Sequence, residues 1–343
     1  MASFSGLNGA LPYSGLLLTS DGSLFGTTSQ GGTNGLPFGY GTIFRLNSSG
    51  VLTTLFSFNS TNGAKPYGAL ALGGDGNLYG TTWVGGISNV GTAFRMTTNG
   101  LHTTLLSFSN INGAKPSGRL IKGQDGHFYG TTQFGGTTNQ GTVFRLTTNG
   151  VLTTLASFSD TNGANPYAEV VQGSDGHLYG TTVNGGPSDV GAVFRVTTNG
   201  VLTPLYIFSG PDGANPYGGL VQDPDGILYG TTAYGGANGY GTIFKITTNG
   251  SLTTLYSFTG VLTGQIPGPV CCAGVTDSFT GQRYSGGART AYQGAPSSRL
   301  QPMDSWHRWL LSSSISTASR HTHPLFKMPP AIFTAQLGKV GPG

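Results

Sequence analysis

One octapeptide returns along the chain at a fixed spacing, and this repeat restricts the possible fold more than any other feature. The segment DGNLYGTT begins at Asp75, and close copies follow at intervals of fifty residues, beginning at Asp125, Asp175 and Asp225. An earlier copy, DGSLFGTT, begins at Asp21, and an insertion around residues 36–40 explains its longer spacing. A period of this length is typical of propellers, solenoids and other arrays, so the repeat is the unit that must be explained.

Each repeat contains four short β-prone segments, which we name strands A to D. In the fourth repeat we expect them at residues 168–172, 177–183, 192–197 and 201–208. Asp-Gly separates A from B and Asn-Gly separates C from D, and both pairs favour hairpins because their residues tolerate positive φ. Four antiparallel strands in about fifty residues match one propeller blade. A parallel β-helix is the alternative, but its coils are shorter and lack paired hairpins.

The sequence therefore predicts an all-β fold, a β-propeller with five readable four-stranded blades. The repeat domain spans residues 1–262, with blades at about residues 11–58, 65–108, 115–158, 165–208 and 215–258. Antiparallel order puts the tight A–B and C–D turns on one side and the longer B–C and D–A loops on the other. Loops on a rigid scaffold commonly carry function, so this long-loop face is the candidate binding face.

The charge of the chain is unevenly distributed. Residues 1–262 hold nine basic and ten acidic residues, whereas residues 263–343 hold seven basic and two acidic ones. The basic balance belongs to the tail, and we expect no nucleic-acid binding by the repeats. No apolar run could span a bilayer, and the start, MASFSGLNGALP, has neither a basic nor an apolar leader region. We therefore expect no transmembrane segment and no signal peptide.

The repeat pattern stops after Phe258, and residues 263–343 have a different composition. Read in a shifted frame, the codons of this tail permit the strand B signature Phe-Tyr-Gly-Thr-Thr from residue 278 and again across residues 332–337. Because these matches keep the repeat register, we expect an out-of-frame translation of a sixth blade and part of a seventh. On this hypothesis the tail is irregular and disordered, and a propeller of about seven blades has been truncated. An ordinary disordered tail or an anchoring segment is the alternative.

The block LYGTTxxGGxxxxGTxFRxTTNGxLTTLxSFxxxxGAxPYGxL resembles the GloVer tandem repeat, named for Gloeobacter and Verrucomicrobia. The resemblance covers residues 1–258 in five copies. It implies bacterial proteins of the cell exterior, so we expect an extracellular or cell-surface location. It implies no known activity, and no catalytic residue is carried over to this chain.

Two recurrent motifs resemble ligand sites, but we interpret both as structural. The Asp-Gly pairs offer one carboxylate per turn, whereas calcium needs six or more oxygens. The paired glycines, such as Gly85-Gly86, are not followed by GK[ST] or by a helix, so the groups that hold phosphate are missing. We therefore expect neither a metal nor a cofactor.

We interpret the recurring charged residues first as structural. Strand C carries one basic residue per blade, and we expect each to pair with a nearby Asp or a carbonyl, although a ring of cations would suit an anionic ligand. These residues are Arg45, Arg95, Arg145, Arg195 and Lys245. Glu169 is the chain's only glutamate, and a catalytic acid pair would need a second carboxylate, for which Asp160 and Asp189 are candidates.

Aromatic residues concentrate near the long-loop face and are the predicted binding residues. Three follow the Gly-Thr-Thr signature, namely Trp83, Phe134 and Tyr234, and three lie in the D–A segments, namely Tyr67, Tyr167 and Tyr217. Flat aromatic faces suit sugars and protein contacts, while packing between blades would explain the recurring tyrosines equally well. A carbohydrate or a surface protein is the expected partner.

Nearly every polar position recurs in each blade, whereas a catalytic site needs unique groups in an asymmetric arrangement. The sequence therefore favours a non-enzymatic binding propeller. A hydrolase or lyase acting on polysaccharide is the first alternative, and a truncated gene product without function is the second.

Overall fold

The computed structural model describes residues 2–35 and 37–259. These residues form twenty strands in five antiparallel sheets of four, and each sheet follows chain order from its first strand to its last. The predicted all-β propeller with five blades is confirmed. The predictions made for the tail, residues 263–343, lie outside the described residues.

The strands of each blade occupy equivalent positions in the repeat. Blade 1 contains β1 (Leu17–Leu18), β2 (Leu24–Thr28), β3 (Thr42–Leu46) and β4 (Leu52–Ser57). Blade 2 contains β5 (Ala71–Leu72), β6 (Leu78–Thr82), β7 (Thr92–Met96) and β8 (His102–Ser107). Blade 3 contains β9 (Ile121–Lys122), β10 (Phe128–Thr132), β11 (Thr142–Leu146) and β12 (Leu152–Ser157). Blade 4 contains β13 (Val171–Gln172), β14 (Leu178–Thr182), β15 (Ala192–Val196) and β16 (Leu202–Ile207). Blade 5 contains β17 (Val221–Gln222), β18 (Leu228–Thr232), β19 (Thr242–Ile246) and β20 (Leu252–Ser257).

Neighbouring blades are joined by a buried aromatic contact that recurs at each junction. Phe58 directly follows the last strand of blade 1 and meets Phe94 of blade 2 edge to face, with ring centroids 5.4 Å apart. Phe108 packs on Phe144 in the same way at the next junction, at 5.3 Å. Edge-to-face pairs add to the free energy gained from burying the rings themselves. The core therefore lies between blades rather than inside any one of them.

The first and last blades leave apolar faces uncovered by another described blade. Tyr256 is 52% exposed, whereas Ala156, which holds the same position in blade 3, is 9% exposed. Leu18 in the first strand of blade 1 is 61% exposed. Within the described residues, only blades 2 to 4 are packed on both faces.

The Asp of each A–B turn stabilises its hairpin, as predicted for a turn residue. In blade 3, Asp125 accepts hydrogen bonds from the His127 backbone N–H at 3.1 Å and from the Tyr129 hydroxyl at 2.7 Å. Burial and the Asp125 carboxylate raise the pKa of Tyr129 to about 12. In blade 5 it is Asp223 rather than Asp225 that accepts from the tyrosine hydroxyl. One carboxylate in each turn is therefore used by its own hairpin.

The strand C basic residues were expected to pair with an Asp or a carbonyl, and they differ between blades in their partners. Only Arg45 forms such an ion pair in the described residues, with Asp21 at 3.1 Å. Phe25 replaces the tyrosine of the other blades and has no hydroxyl, so the Asp21 carboxylate is left for Arg45. In blade 3, Arg145 lies opposite Tyr129 in the strand register, and its buried Nε has no hydrogen-bond partner.

We expect Tyr129→Phe to lower the free energy of unfolding by about 1 kcal/mol, because one hydrogen bond to a carboxylate is lost. Arg145 should then take the Asp125 carboxylate, as Arg45 does in blade 1. Urea unfolding of the single variants Tyr129→Phe and Arg145→Ala and of their double variant checks this. The double variant should lose more stability than the sum of the singles, and simple additivity would contradict the exchange of partners.

Buried threonines tie strand B to strand C at the long-loop end. In blade 3 the hydroxyls of Thr132 and Thr142 lie 2.8 Å apart, and the Thr142 backbone N–H donates to Thr132 Oγ1 at 3.2 Å. The D–A segment crosses this pair at Gly113, whose φ is +123°. A Cβ at Gly113 would lie 2.6 Å from Thr132 Oγ1, so glycine is required by the close approach as well as by the backbone conformation.

Candidate functional site

The long loops of adjacent blades are held together by backbone hydrogen bonds. At the junction of blades 1 and 2, the Ala64 N–H donates to the Val84 carbonyl at 2.8 Å, and the Lys65 N–H donates to the Tyr40 carbonyl at 2.8 Å. The D–A segment thus lies between the B–C loop of one blade and the end of strand B in the next. This places both kinds of long loop on the same face, as the hairpin order predicts.

The D–A segments carry a strained backbone position in every blade. The residue before the recurrent proline has a φ between +51° and +56°, a left-handed conformation that favours Asn among side-chain-bearing residues. It is Asn165 in blade 4 and Asn215 in blade 5, and each side chain donates to a backbone carbonyl of the preceding blade. The other three blades have Leu11, Lys65 and Lys115 there.

The residue after the same proline is a tyrosine in four blades. These residues form a tyrosine row on the long-loop face, namely Tyr13, Tyr67, Tyr167 and Tyr217. Tyr13 and Tyr67 have ring centroids 5.9 Å apart, and Tyr167 and Tyr217 have theirs 5.8 Å apart. Burial, with smaller contributions from the Tyr167 and Tyr13 hydroxyls, raises the pKa of Tyr67 to about 12. The ring contacts of the tyrosine row thus form two pairs, Tyr13 with Tyr67 and Tyr167 with Tyr217.

Blade 3 interrupts the tyrosine row with a small residue. Ser117 is buried and donates to the Tyr167 carbonyl at 2.7 Å. It replaces a large ring with a hydroxyl that fixes the neighbouring backbone. Blade 3 therefore contributes no ring between Tyr67 and Tyr167.

A cation–aromatic cluster lies on the long-loop face, formed by Tyr67, Trp83, Phe134, Lys65 and Lys115. Trp83 meets Tyr67 edge to face with ring centroids 5.7 Å apart. Lys115 Nζ lies 4.6 Å from the Trp83 ring centroid and 5.1 Å from that of Phe134, and Lys65 Nζ lies 5.8 Å from Trp83. Cation–π attraction holds both ammonium groups over the rings. The cluster joins blades 2 and 3.

The structure therefore brings the six predicted binding residues to the same face but into two groups. Trp83, Phe134 and Tyr67 belong to the cation–aromatic cluster. Tyr167, Tyr217 and Tyr234 form the second group, in which the Tyr234 and Tyr167 hydroxyls add to the effect of burial in raising the pKa of Tyr217. Tyr234 is 48% exposed and offers an open ring.

An ion pair lies two residues after Ser117 and Tyr167, just before the first strands of blades 3 and 4. Arg119 Nε and Glu169 Oε1 are 3.6 Å apart, in blades 3 and 4. The equivalent residue in blade 5 is Gly219, where a Cβ would lie 3.3 Å from Glu169 Cδ. Neither Asp160 nor Asp189 contacts Glu169 in the described part of the chain, so the acid pair considered from sequence is not formed there.

The sequence analysis did not single out Lys65, Lys115 or Arg119. A comparison of equivalent positions in the blades would have found them. Lys65 and Lys115 stand where blades 4 and 5 have asparagine, and Arg119 stands where the other blades have a small residue or Glu169. No group of three or more His, Cys, Asp or Glu side chains in the described residues could hold a metal ion. Residues 2–35 and 37–259 contain no helix long and apolar enough to cross a membrane.

The family model of the Gloeobacter/Verrucomicrobia repeat matches residues 1–124 and 91–294. The chain belongs to this repeat family. The two matched regions overlap and include all five blades, so membership in the Gloeobacter/Verrucomicrobia repeat family agrees with the resemblance seen in the sequence. No curated protein matches the chain.

Solved structures resemble this member of the repeat family in fold. A streptogramin B lyase is 18% identical with a TM-score of 0.50, and the match covers 75% of this chain and 71% of the lyase. A gluconolactonase from Xanthomonas campestris is 15% identical with a TM-score of 0.44, over 72% of this chain and 76% of that one. These structures are β-propellers, and at such identities the likeness to the lyase shows the fold alone.

Proposed function

We propose that this protein is a non-enzymatic binding propeller whose long-loop face takes carbohydrate. The convergence of Tyr67, Trp83 and Phe134, which come from separate segments of two adjacent blades, is the observation that supports this most. Rings that are held by neighbouring side chains bind a flat apolar sugar face without a large loss of side-chain entropy. The exposed Tyr234 and the tyrosine row extend the same surface.

A catalytic function has weaker support from the geometry. Glu169, the one glutamate, contacts Arg119 rather than a second carboxylate or a histidine. Hydrolysis by a carboxylate pair would need two such groups across a cleft. We therefore assign Glu169 to the ion pair with Arg119 and not to catalysis.

Replacing Trp83 with Ala should weaken glycan binding at least tenfold, because the central ring of the cation–aromatic cluster is removed. A glycan-array screen of the full chain identifies ligands, and titration calorimetry then compares the variant with the unmodified protein. Val183, the residue at the same position in blade 4, supplies a control through Val183→Ala. Equal loss in both variants, or no loss in Trp83→Ala, would count against the proposed site.

The proposal includes a location at the cell exterior, which the resemblance to the repeat family implies. Digestion of intact cells by an added protease tests it, because a surface protein is cleaved while a cytoplasmic marker survives. Survival of the repeat domain in intact cells and its cleavage after lysis would contradict this location.

A further inference from the structure

We propose that the cation–aromatic cluster is specific for acidic polysaccharide, with uronate carboxylates bound by Lys65 and Lys115 and sugar rings packed against Trp83 and Phe134. This inference rests on the proposed function and narrows it to one class of glycan. Three observations support it. The lysines have no carboxylate partner in the described residues, the surrounding loops hold no acidic residue, and both lysines have a left-handed backbone conformation.

Neither lysine is neutralised by a carboxylate within the described residues. The ion pairs formed there are Arg45 with Asp21 and Arg119 with Glu169. Lys65 and Lys115 contact aromatic rings instead, which leaves their N–H groups available to an anion. An ammonium group binds a carboxylate through charge-assisted hydrogen bonds, which are stronger than those between neutral groups.

The long loops divide the face into halves of opposite charge. In blades 2 and 3 the segments 59–66, 83–91, 109–116 and 133–141 contain the two lysines and no acidic residue. In blades 4 and 5 the equivalent loops contain no lysine and three acidic residues, Asp160, Asp189 and Asp212. An anionic chain is therefore attracted to blades 2 and 3 and repelled from blades 4 and 5.

Both lysines occupy the left-handed backbone position at which blades 4 and 5 have asparagine. Their φ angles are +55° and +56°, and within the described residues neither side chain makes the hydrogen bond that Asn165 and Asn215 make to the preceding blade. Strained residues of this kind cluster at binding sites. Asparagine suits this conformation better than lysine does, and blades 2 and 3 both have lysine there.

The geometry suits a charged sugar better than a simple anion. Lys115 Nζ lies within about 5 Å of two ring centroids, so a carboxylate that meets it brings the attached sugar ring onto Trp83 or Phe134. Lys65 reaches the same indole from the adjacent blade junction. Two ammonium groups beside one ring fit a polymer with a carboxylate on successive sugars.

The test compares polygalacturonate with its fully methyl-esterified form, which keeps the sugar and removes the charge. Affinity electrophoresis and calorimetry use the full chain, the double variant Lys65→Asn/Lys115→Asn, and Trp83→Ala. We expect the acid form to bind at least tenfold more tightly than the ester and to weaken as sodium chloride rises from 50 to 500 mM, because exposed charges are screened. The lysine variant should lose this preference.

The double variant Lys65→Asn/Lys115→Asn also distinguishes a loss of binding from a loss of folding. Since asparagine suits both backbone positions, its Tm should rise by about 2–4 °C while binding falls. Lys122→Gln is the matched control, because Lys122 lies on the tight-turn side and blades 4 and 5 have Gln172 and Gln222 there. This control should bind as the unmodified protein does.

Each contrary outcome has a distinct meaning. Equal binding of acid and ester that Trp83→Ala abolishes and the lysine variant retains would overturn the preference for acidic sugars and leave the proposed function standing. Binding of polygalacturonate that survives Trp83→Ala, or equal binding of inorganic polyphosphate, would show a general attraction to polyanions and overturn the inference. Failure to bind any glycan on the array would overturn both proposals.

Discussion

Gly113→Ala should lower the free energy of unfolding by about 4 kcal/mol, the largest effect we expect from one added methyl group. The new Cβ would lie 2.6 Å from Thr132 Oγ1 and 2.8 Å from Thr142 Oγ1, which form a buried hydrogen-bonded pair. The backbone would also have to hold alanine at a φ of +123°. Urea unfolding followed by tryptophan fluorescence and circular dichroism measures the loss.

Gly126→Ala separates the two causes. Gly126 has a φ of +81° in an A–B turn of the same blade, but no atom lies within 4 Å of the Cβ position. Only the backbone cost applies there, so the expected loss is about 1 kcal/mol. Similar losses in the two variants would show that the threonine pair gives way freely and that the crossing is not tightly packed.

The second large effect is a loss of stability in mild acid, caused by His102. This side chain stacks on Phe56 with ring centroids 4.0 Å apart, and its buried Nε2 has no hydrogen-bond partner. Burial lowers the pKa of His102 to about 4, compared with 6.5 in an unfolded chain. Between these values the unfolded chain binds a proton that the folded protein excludes, so stability is complete above pH 6.5 and falls as the pH drops to 4.

We expect this loss to reach about 2 kcal/mol at pH 4, less than the full pKa difference would give because His102 is only partly buried. Urea unfolding at intervals from pH 7 to pH 4.5 measures it above the range in which the Asp carboxyls titrate. His102→Leu is the control, because the other four blades have leucine at this position. The variant should lose the slope over this range, and an unchanged slope would assign the effect to other groups.

The repeat made most of the fold predictable. Asp-Gly and Asn-Gly turns predicted each pair of hairpins, and the observed strands of blade 4, such as β14 at Leu178–Thr182, lie inside the predicted segments. This succeeded because hairpin formation is a local property of turn chemistry and strand pattern. The predicted segments extended one to three residues beyond the observed strands, and flanking residues such as Val183 bond to neighbouring loops instead.

The candidate site was predictable only in part. Hairpin order assigns the aromatic residues to the long-loop face, and their role in binding stays a prediction. The meeting of Lys115 with Trp83 and Phe134 was not predictable, because it depends on a left-handed backbone at residue 115 and on contact between two blades. The turn Asp binds Arg45 in blade 1 but Tyr129 in blade 3, and this difference became evident only in the packed structure.

The sequence by itself determined the blade, the number of blades within residues 1–258 and the face that each loop occupies, because these follow from local turns repeated at a fixed spacing. The tertiary structure alone decided which side chains meet across blade junctions. Residues fifty positions apart become neighbours there, and small departures from the repeat, such as Lys65 and Lys115 for asparagine or Ser117 for tyrosine, then combine. The repeat makes the scaffold regular, and only packing shows which departures from the repeat meet at the proposed site.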